Sequence, residues 1–206
     1  MSPSSQGTPI PPLDHVCLDK HNYPGGSGLD SQSLAHYLHA LKQYHLTEPL
    51  YRQQYAQLVA LLDAEYLSQI SGYYTSHDLL VHVNEVLALV TVLEQTYAEF
   101  SEQITQVRAE TDLSEHLYTL IELGQTLEEE FFEFHRRFVR VYAHYLVCTA
   151  LCCLHLRHDE DLQTILESIE CFPAGRPEIL RYLYAVMASQ PEQQLDAFRL
   201  QSILNL

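Results

Sequence analysis

Bases are scarce in this sequence of 206 residues, which has eleven lysines and arginines against twenty-seven acids. Only Lys20 and Lys42 are lysines, and the formal net charge at pH 7 is −16. Nucleic-acid phosphates and anionic membrane surfaces are bound through clustered lysines and arginines, so the composition disfavours both classes of partner. The charge instead favours good solubility and basic protein partners.

Tryptophan is absent, whereas tyrosine occurs fourteen times. Tyr37, Tyr44, Tyr51 and Tyr55 fall at helical spacing in the first helical part of the chain. A tyrosine at such spacing usually buries its ring at the edge of a core and leaves its hydroxyl in water. Since tyrosine is also enriched at protein interfaces, an interface role stays open.

Several sequence motifs of enzymes are also missing. The chain has no glycine-rich phosphate loop, no nucleophile elbow around a serine and no Glu-x-x-His motif of a di-iron bundle. We therefore expect no enzymatic activity, no catalytic residue and no cofactor.

Targeting signals are missing as well. The first residues carry no basic region followed by an apolar core, so no signal peptide is expected. The apolar stretch 141–156 is short for a membrane span and contains two histidines, which predicts a helix buried on most sides. Five cysteines are an odd number and fit a reducing compartment. A cytoplasmic protein is expected.

Prolines and glycines concentrate at the N-terminus. Residues 1–30 hold five of the nine prolines and four of the seven glycines, and they show no periodicity. This segment is predicted to be a flexible or extended arm. Residues 31–206 are predicted to form a single all-helical domain.

Two apolar ladders with alternating steps of four and three residues follow. The first comprises Leu79, Val83, Val86, Val90, Leu93, Tyr97, Phe100, Ile104 and Val107. The second comprises Leu113, Leu117, Leu120, Gly124, Leu127, Phe131, Phe134, Phe138, Val141, Tyr145, Cys148 and Cys152. This spacing is typical of helices that pack at a shallow angle. It predicts an all-α bundle built on a long antiparallel hairpin, about 76–108 and 113–157, with shorter flanking helices.

A break between two helices is predicted at Thr47, before the hairpin begins. Thr47 is followed by Glu48 and Pro49, an arrangement typical of a helix N-cap and first turn. A new helix is therefore expected to start at Thr47. Further along the chain, short helices are predicted near 160–171, 178–189 and 191–205, two of them with proline in the first turn.

Acids cluster around the predicted turn of the hairpin. Between Glu94 and Glu133 there are eleven acids and a single base, Arg108. Folding the hairpin would make one end strongly electronegative and leave the other end packed against the remaining helices. This acidic end is either a solvated helical face or a docking surface for a basic partner. The candidate partner-binding residues are Glu99, Glu102, Glu122, Glu128, Glu129, Glu130 and Glu133.

Two metal sites can be considered. His144, Cys148, Cys152 and His155 share one helix face and are zinc-ligand types, but two of them continue the apolar ladder, which favours a core face. The motif formed by residues 129–133 resembles half of the magnesium site of MazG-like nucleotide pyrophosphatases, which needs a facing pair such as Glu99-x-x-Glu102. The hairpin register predicts an axial offset of about 13 Å between the pairs, which argues against that site.

The whole-chain character suggests a family. With its acidic, all-helical character, its arm MSPSSQGTPIPPLDHVC and its stretch EEEFFEFHRRFVRVYAHYLVC, the chain resembles the LvgA-like adaptors of the Legionella Dot/Icm type IV secretion system. The resemblance implies two partners: the small IcmS–IcmW adaptor pair and the C-terminal tail of the coupling ATPase DotL. It also implies a role in recruiting effector proteins for translocation. The alternative is an acidic nucleic-acid mimic, although Arg136, Arg137 and Arg140 directly follow the acids.

Overall fold

The computed structural model describes residues 31–63, 77–109, 114–189 and 191–205, and all regular structure in these ranges is helical. Three long helices are α1 (Ser31–Asp63), α2 (His77–Ala109) and α3 (Ser114–Leu156). Three shorter helices are α4 (Asp159–Glu170), α5 (Arg176–Ser189) and α6 (Gln194–Ile203), with 3-10 turns at Pro173–Gly175 and Pro191–Gln193. The predicted all-α bundle is confirmed, while the arm predicted at residues 1–30 lies outside the described residues.

The long hairpin forms from α2 and α3, whose ends lie within one residue of the predicted limits. The two helices are antiparallel, because Thr96 contacts Glu130 and Gln103 contacts His116. At about 1.5 Å per residue, α3 is about 65 Å long. The predicted turn and its capping box at Asp112 lie outside the described residues.

The first half of α3 packs with α1 and α2 around one apolar cluster, which we call the N-terminal core. It consists of the buried apolar residues between Ala40 and Leu61 of α1, between Leu79 and Ile104 of α2, and between Leu120 and Val141 of α3. Aromatic rings occupy its centre: Tyr44 stacks on Phe100 at 4.8 Å, and the ring of Tyr51 lies 5.2 Å from that of Tyr97 and 5.3 Å from that of Phe134. Tyr44 and Tyr51 are thus buried more deeply than the core-edge positions expected for them.

Helix α1 crosses the predicted break at Thr47 without interruption, so the expectation of a new helix there is wrong. The Thr47 hydroxyl donates a hydrogen bond to the carbonyl of Gln43 at 2.7 Å, as it does inside a helix. Pro49 lies within the helix and lacks the N–H of a normal turn. The burial of Tyr44 and Tyr51 on either side of Pro49 anchors both halves of α1 in the N-terminal core.

Helices α1 and α3 lie close together at Gly124. An added Cβ at Gly124 would lie 2.3 Å from the Cβ and 2.9 Å from the Cα of Ala40, and 3.7 Å from the ring of Phe100. The missing side chain therefore lets the two backbones meet. Farther along, Gln54 donates a hydrogen bond to Nδ1 of His135 at 2.7 Å, and burial lowers the pKa of this histidine, which favours the neutral ring that accepts it.

The second half of α3 is surrounded by α4, α5 and α6, which form the C-terminal core (Ala143–Cys153, Leu162, Ile169, Ile179, Leu183, Ala197 and Leu200). Every residue from Leu146 to Cys153 is buried, so this part of α3 is covered on all sides, as predicted for the stretch 141–156. Phe172 joins the two cores, because its ring meets Phe138 at 6.2 Å and Tyr142 at 5.1 Å, edge to face in both cases.

The end of α3 is set by backbone geometry. Arg157 adopts a left-handed conformation with φ of 58°, and the N–H of His158 bonds to the carbonyl of Cys153 at 3.0 Å. The N–H of Arg157 also donates a hydrogen bond to the carbonyl of Leu154, and the two bonds together form a Schellman motif. The turn lets α4 fold back along the apolar end of α3.

Within the described residues, one segment is long and apolar enough to cross a membrane, His116–Leu156 of α3. The most apolar window of this segment is 56% buried against the other helices. Such burial is typical of the core helix of a globular protein, whose apolar surface is already occupied by protein.

Gly124→Ala tests the close approach of α1 and α3. In an exposed helix this change stabilises by up to about 1 kcal/mol. Here the new methyl group must displace the Ala40 backbone, so we expect the free energy of unfolding in urea to fall by about 1–3 kcal/mol. Adding Ala40→Gly should recover part of the loss, and a more stable Gly124→Ala protein would contradict the packing.

Thiol labelling tests the C-terminal core. Cys148, Cys152 and Cys153 are buried, whereas Cys171 is exposed. Burial raises the pKa of the Cys148 thiol to about 12 and that of Cys153 to about 11, so few reactive thiolates form near pH 8. In a Cys17→Ser chain, one thiol should react rapidly at pH 8, and the other three only in denaturant.

The control for this experiment is Cys171→Ser in the same background. It should abolish the rapid phase and leave the slow thiols unchanged. Rapid labelling of more than one thiol in the folded Cys17→Ser protein would show that the three cysteines of α3 are accessible.

Candidate functional site

Five of the seven candidate glutamates are exposed along the hairpin, and four of these five take part in no ion pair between described residues. Glu99 and Glu102 lie on α2, and Glu122 and Glu129 lie on α3. Among the described residues, no ion pair joins any of the four to a base. Within the described part of the chain, no base therefore compensates their charges.

The α2 pair is held by neutral donors. Gln95 donates a hydrogen bond to Glu99 at 2.8 Å, and Gln106 donates to Glu102 at 3.3 Å. Each glutamine lies one turn from its acceptor on the same helix. An amide donor orients a carboxylate without cancelling its charge, so both positions stay negative.

Glu128 and Glu130 lie on opposite flanks of α3. Glu128 faces α1, where its Oε2 is 3.3 Å from Nε2 of His39. Glu130 faces α2 and accepts a hydrogen bond from the hydroxyl of Thr96 at 2.7 Å. Glu129 lies between these two flanks, on the side of α3 that points away from the bundle. The seven candidates therefore do not form one face.

The negative charge of Glu133 is compensated by two arginines. Arg137 Nε donates to one of its oxygens at 2.6 Å, and Arg136 donates to both, the shortest contact being 2.7 Å. Hydrogen bonds from Arg137 and Arg136 hold the pKa of this carboxyl below its usual range. Glu133 is ionised but carries little free charge, and it marks the end of the acidic surface.

The exposed side of α3 carries a second ladder, which we call the outer strip: Tyr118, Glu122, Gln125, Glu129 and Phe132. The steps are again four and three residues, so all five side chains share one helix face, and all are exposed. Phe132 is 66% exposed and Tyr118 is 53% exposed. The strip spans about 21 Å.

Sequence reasoning found the acids of this strip but missed its two aromatic ends. Tyr118 and Phe132 are apolar residues outside the core ladder of α3, and that mismatch was visible in the sequence. A search for four-three spacing on the face opposite the core would have found them.

The magnesium-site alternative finds little support in the geometry. Since Glu130 contacts Thr96, Glu99 lies about one turn beyond it on α2, so the offset is smaller than the 13 Å expected. Nevertheless Glu130 is bound by a threonine and Glu133 by two arginines. Within the described residues, no group of three or more histidines, cysteines, aspartates and glutamates is placed to hold a metal ion.

The zinc-ligand types on α3 have other partners. Cys148 and Cys152 are buried in the C-terminal core. The ring of His144 stacks on that of Tyr182 at 4.3 Å, and Nδ1 of His155 lies 3.5 Å from the carboxylate of Asp196. This helix face therefore serves to pack α5 and α6 onto α3.

Comparison of the chain with protein-family models, with curated proteins and with solved structures found no match. What the chain does must therefore be inferred from its charge, its exposed side chains and their geometry.

Proposed function

We propose that this chain is a non-enzymatic, acidic adaptor that binds other proteins through the outer strip of α3 and the flanking glutamates of α2. The observation that carries the proposal is the outer strip itself. Its two exposed aromatic residues, Tyr118 and Phe132, lie at either end of one helix face, with Glu122 and Glu129 between them. Aromatic anchors with charges beside them are typical of protein interfaces.

The spacing of the strip suggests the shape of the partner segment. Side chains that repeat every four and three residues match the side chains of a second helix packed alongside. The partner should therefore offer an amphipathic helix, with apolar residues opposite Tyr118 and Phe132 and with lysines or arginines between them. Glu99 and Glu102, exposed on the neighbouring helix α2, extend the negative surface toward such basic residues.

The scaffold suits a docking role. The outer strip lies on α3, which is anchored in both apolar cores, so its side chains are held on a rigid element before binding. A pre-organised surface loses little conformational entropy when a partner binds. A rigid acidic face with exposed aromatic residues fits an adaptor.

We further propose that the adaptor works in a bacterial type IV secretion coupling complex. The acidic, all-helical character supports this, as does the resemblance to the LvgA-like adaptors. Its partners would be an IcmS–IcmW-like adaptor pair and the tail of a DotL-like coupling ATPase, and its role would be to help recruit effector proteins. A nucleic-acid mimic is less well supported, because Arg136 and Arg137 end the run of free acids at Glu133.

Reconstitution tests the assignment. The purified chain is mixed with an IcmS–IcmW pair and with the C-terminal tail of DotL, and the mixture is analysed by size-exclusion chromatography with mass measurement. We expect a complex of defined stoichiometry that contains this chain. If the chain elutes alone at micromolar concentrations of all components, the secretion assignment is rejected.

A charge-reversal pair tests the surface. The double variant Glu122→Lys with Glu129→Lys places two positive charges where basic residues of the partner are expected. The dissociation constant of the reconstituted complex should therefore rise at least about tenfold. The matched control is Glu167→Lys with Glu170→Lys, which makes the same change in net charge on exposed positions of α4. Equal binding by both double variants would show that the outer strip is not the docking surface.

A further inference from the structure

A second charged feature lies where α2, α3 and α5 meet. There the helices leave a cleft of about 370 Å³, which is within the size range of small-molecule sites. Four arginines line it: Arg136, Arg137 and Arg140 from α3, and Arg181 from α5. A chain with eleven bases and a net charge of −16 thus places four of them around one opening.

The arginines are arranged as two pairs, each of which shares one carboxylate. Arg136 and Arg137 both contact Glu133, at 2.7 and 2.6 Å. Arg140 and Arg181 both contact Glu178, at 3.7 and 2.6 Å. Four guanidinium charges therefore face two carboxylates, which leaves a local excess of two positive charges.

The other polar groups of the cleft reduce this excess only in part. Glu85 lines the cleft from α2 and lies 3.2 Å from Nδ1 of His82. Counting this carboxylate and taking the histidine as neutral, the cleft keeps a net charge of +1. Arg181 also lies over the ring of Tyr182, at 5.0 Å from its centroid, which helps to fix the position of the guanidinium.

The arginine pairs have more donors than their carboxylates can accept. Two guanidinium groups carry ten N–H donors, whereas one carboxylate offers about four acceptor positions. Each pair can therefore bind a further anion without releasing its glutamate. All four side chains are between 40% and 56% exposed, so an anion in the cleft can reach their N–H groups.

We propose that this cleft binds a small phosphate-bearing polyanion, which bridges the Arg136–Arg137 pair and the Arg140–Arg181 pair. A monocarboxylate would offer the arginines nothing beyond what Glu133 and Glu178 already supply. A ligand with two phosphoryl groups presents more oxygens and at least two charges, and guanidinium forks match phosphate geometry. The inference does not depend on the adaptor function, since the cleft and the outer strip share no residue.

Binding in the cleft would also link the two halves of the bundle. Val86 belongs to the N-terminal core on α2, whereas Arg181 and Tyr182 lie on α5, which packs in the C-terminal core. A ligand between them adds contacts that exist only in the folded protein. It should therefore raise the unfolding temperature, and this increase should continue as the ligand concentration rises above the dissociation constant.

Calorimetric titration of the full chain with inorganic pyrophosphate tests the proposal, with citrate titrated in parallel as a polyanion without phosphate. We expect saturable binding of one pyrophosphate, with citrate at least about tenfold weaker. NMR shifts should localise to the methyl groups of Val86 and Val141, which line the cleft. No saturable heat up to millimolar pyrophosphate, or equal affinity for citrate, would overturn the assignment.

Arg140→Gln removes one cleft arginine, and Arg52→Gln is the matched control. Arg52 forms an exposed ion pair with Glu48 on α1, so the control makes the same charge change away from the cleft. Pyrophosphate affinity should fall at least about tenfold in Arg140→Gln and stay unchanged in Arg52→Gln. Equal affinities in the two variants would show that the anion binds elsewhere. Unfolding midpoints without ligand confirm that both variants fold.

Discussion

The burial of the apolar ladder that runs the length of α3 is the constraint on which the rest of the structure depends. Its first half has one apolar face, which needs α1 and α2 to cover it, and its second half is apolar on every side and needs three more helices. One helix thereby organises both cores. Both candidate surfaces follow from this arrangement, because each uses the parts of α3 that the surrounding helices leave uncovered.

Electrostatics then divides the uncovered side of α3 into two regions. From Tyr118 to Phe132 the exposed charges are acidic, and among the described residues only Glu128 has a basic partner, His39 of α1, whereas from Glu133 onward arginines share pairs with glutamates. Glu133 is the boundary, since two arginines bind it. A strongly acidic chain can thus present an anionic docking surface and a cationic cleft on the same helix without one neutralising the other, because charges a few turns apart are largely screened in physiological salt.

The sequence was sufficient for those parts of the fold that depend on local periodicity. The four-three ladders predicted α2 and α3 to within a residue, and the apolar stretch 141–156 was correctly expected to be buried on most sides. The break at Thr47 was wrong because burial of Tyr44 and Tyr51 outweighs the backbone cost of Pro49, and burial is a tertiary effect. The apolar ladder of one helix also cannot show which neighbouring helix packs against each of its sides.

The candidate sites were only partly visible for the same reason. The acids near the turn could be counted in the sequence, but the placement of Glu128 beside His39 and of Glu130 beside Thr96 depends on the packing of three helices. The arginine cleft was out of reach, because Arg181 joins Arg140 through Glu178 only after α5 has folded back onto α3. Forty-one positions separate these two arginines in the chain.

The contact between α1 and α3 also determines the order in which the chain can fold as it is synthesised. Gln54 and His135 are 81 positions apart, and the intervening α2 covers only part of the apolar face of α1. Until Phe134 of α3 has left the ribosome, the ring of Tyr51 lacks one of the aromatic rings that it packs against. Such long-range closure delays completion of the N-terminal core. The nascent chain therefore passes through a stage in which aromatic surface is exposed, and its high negative charge keeps that stage soluble.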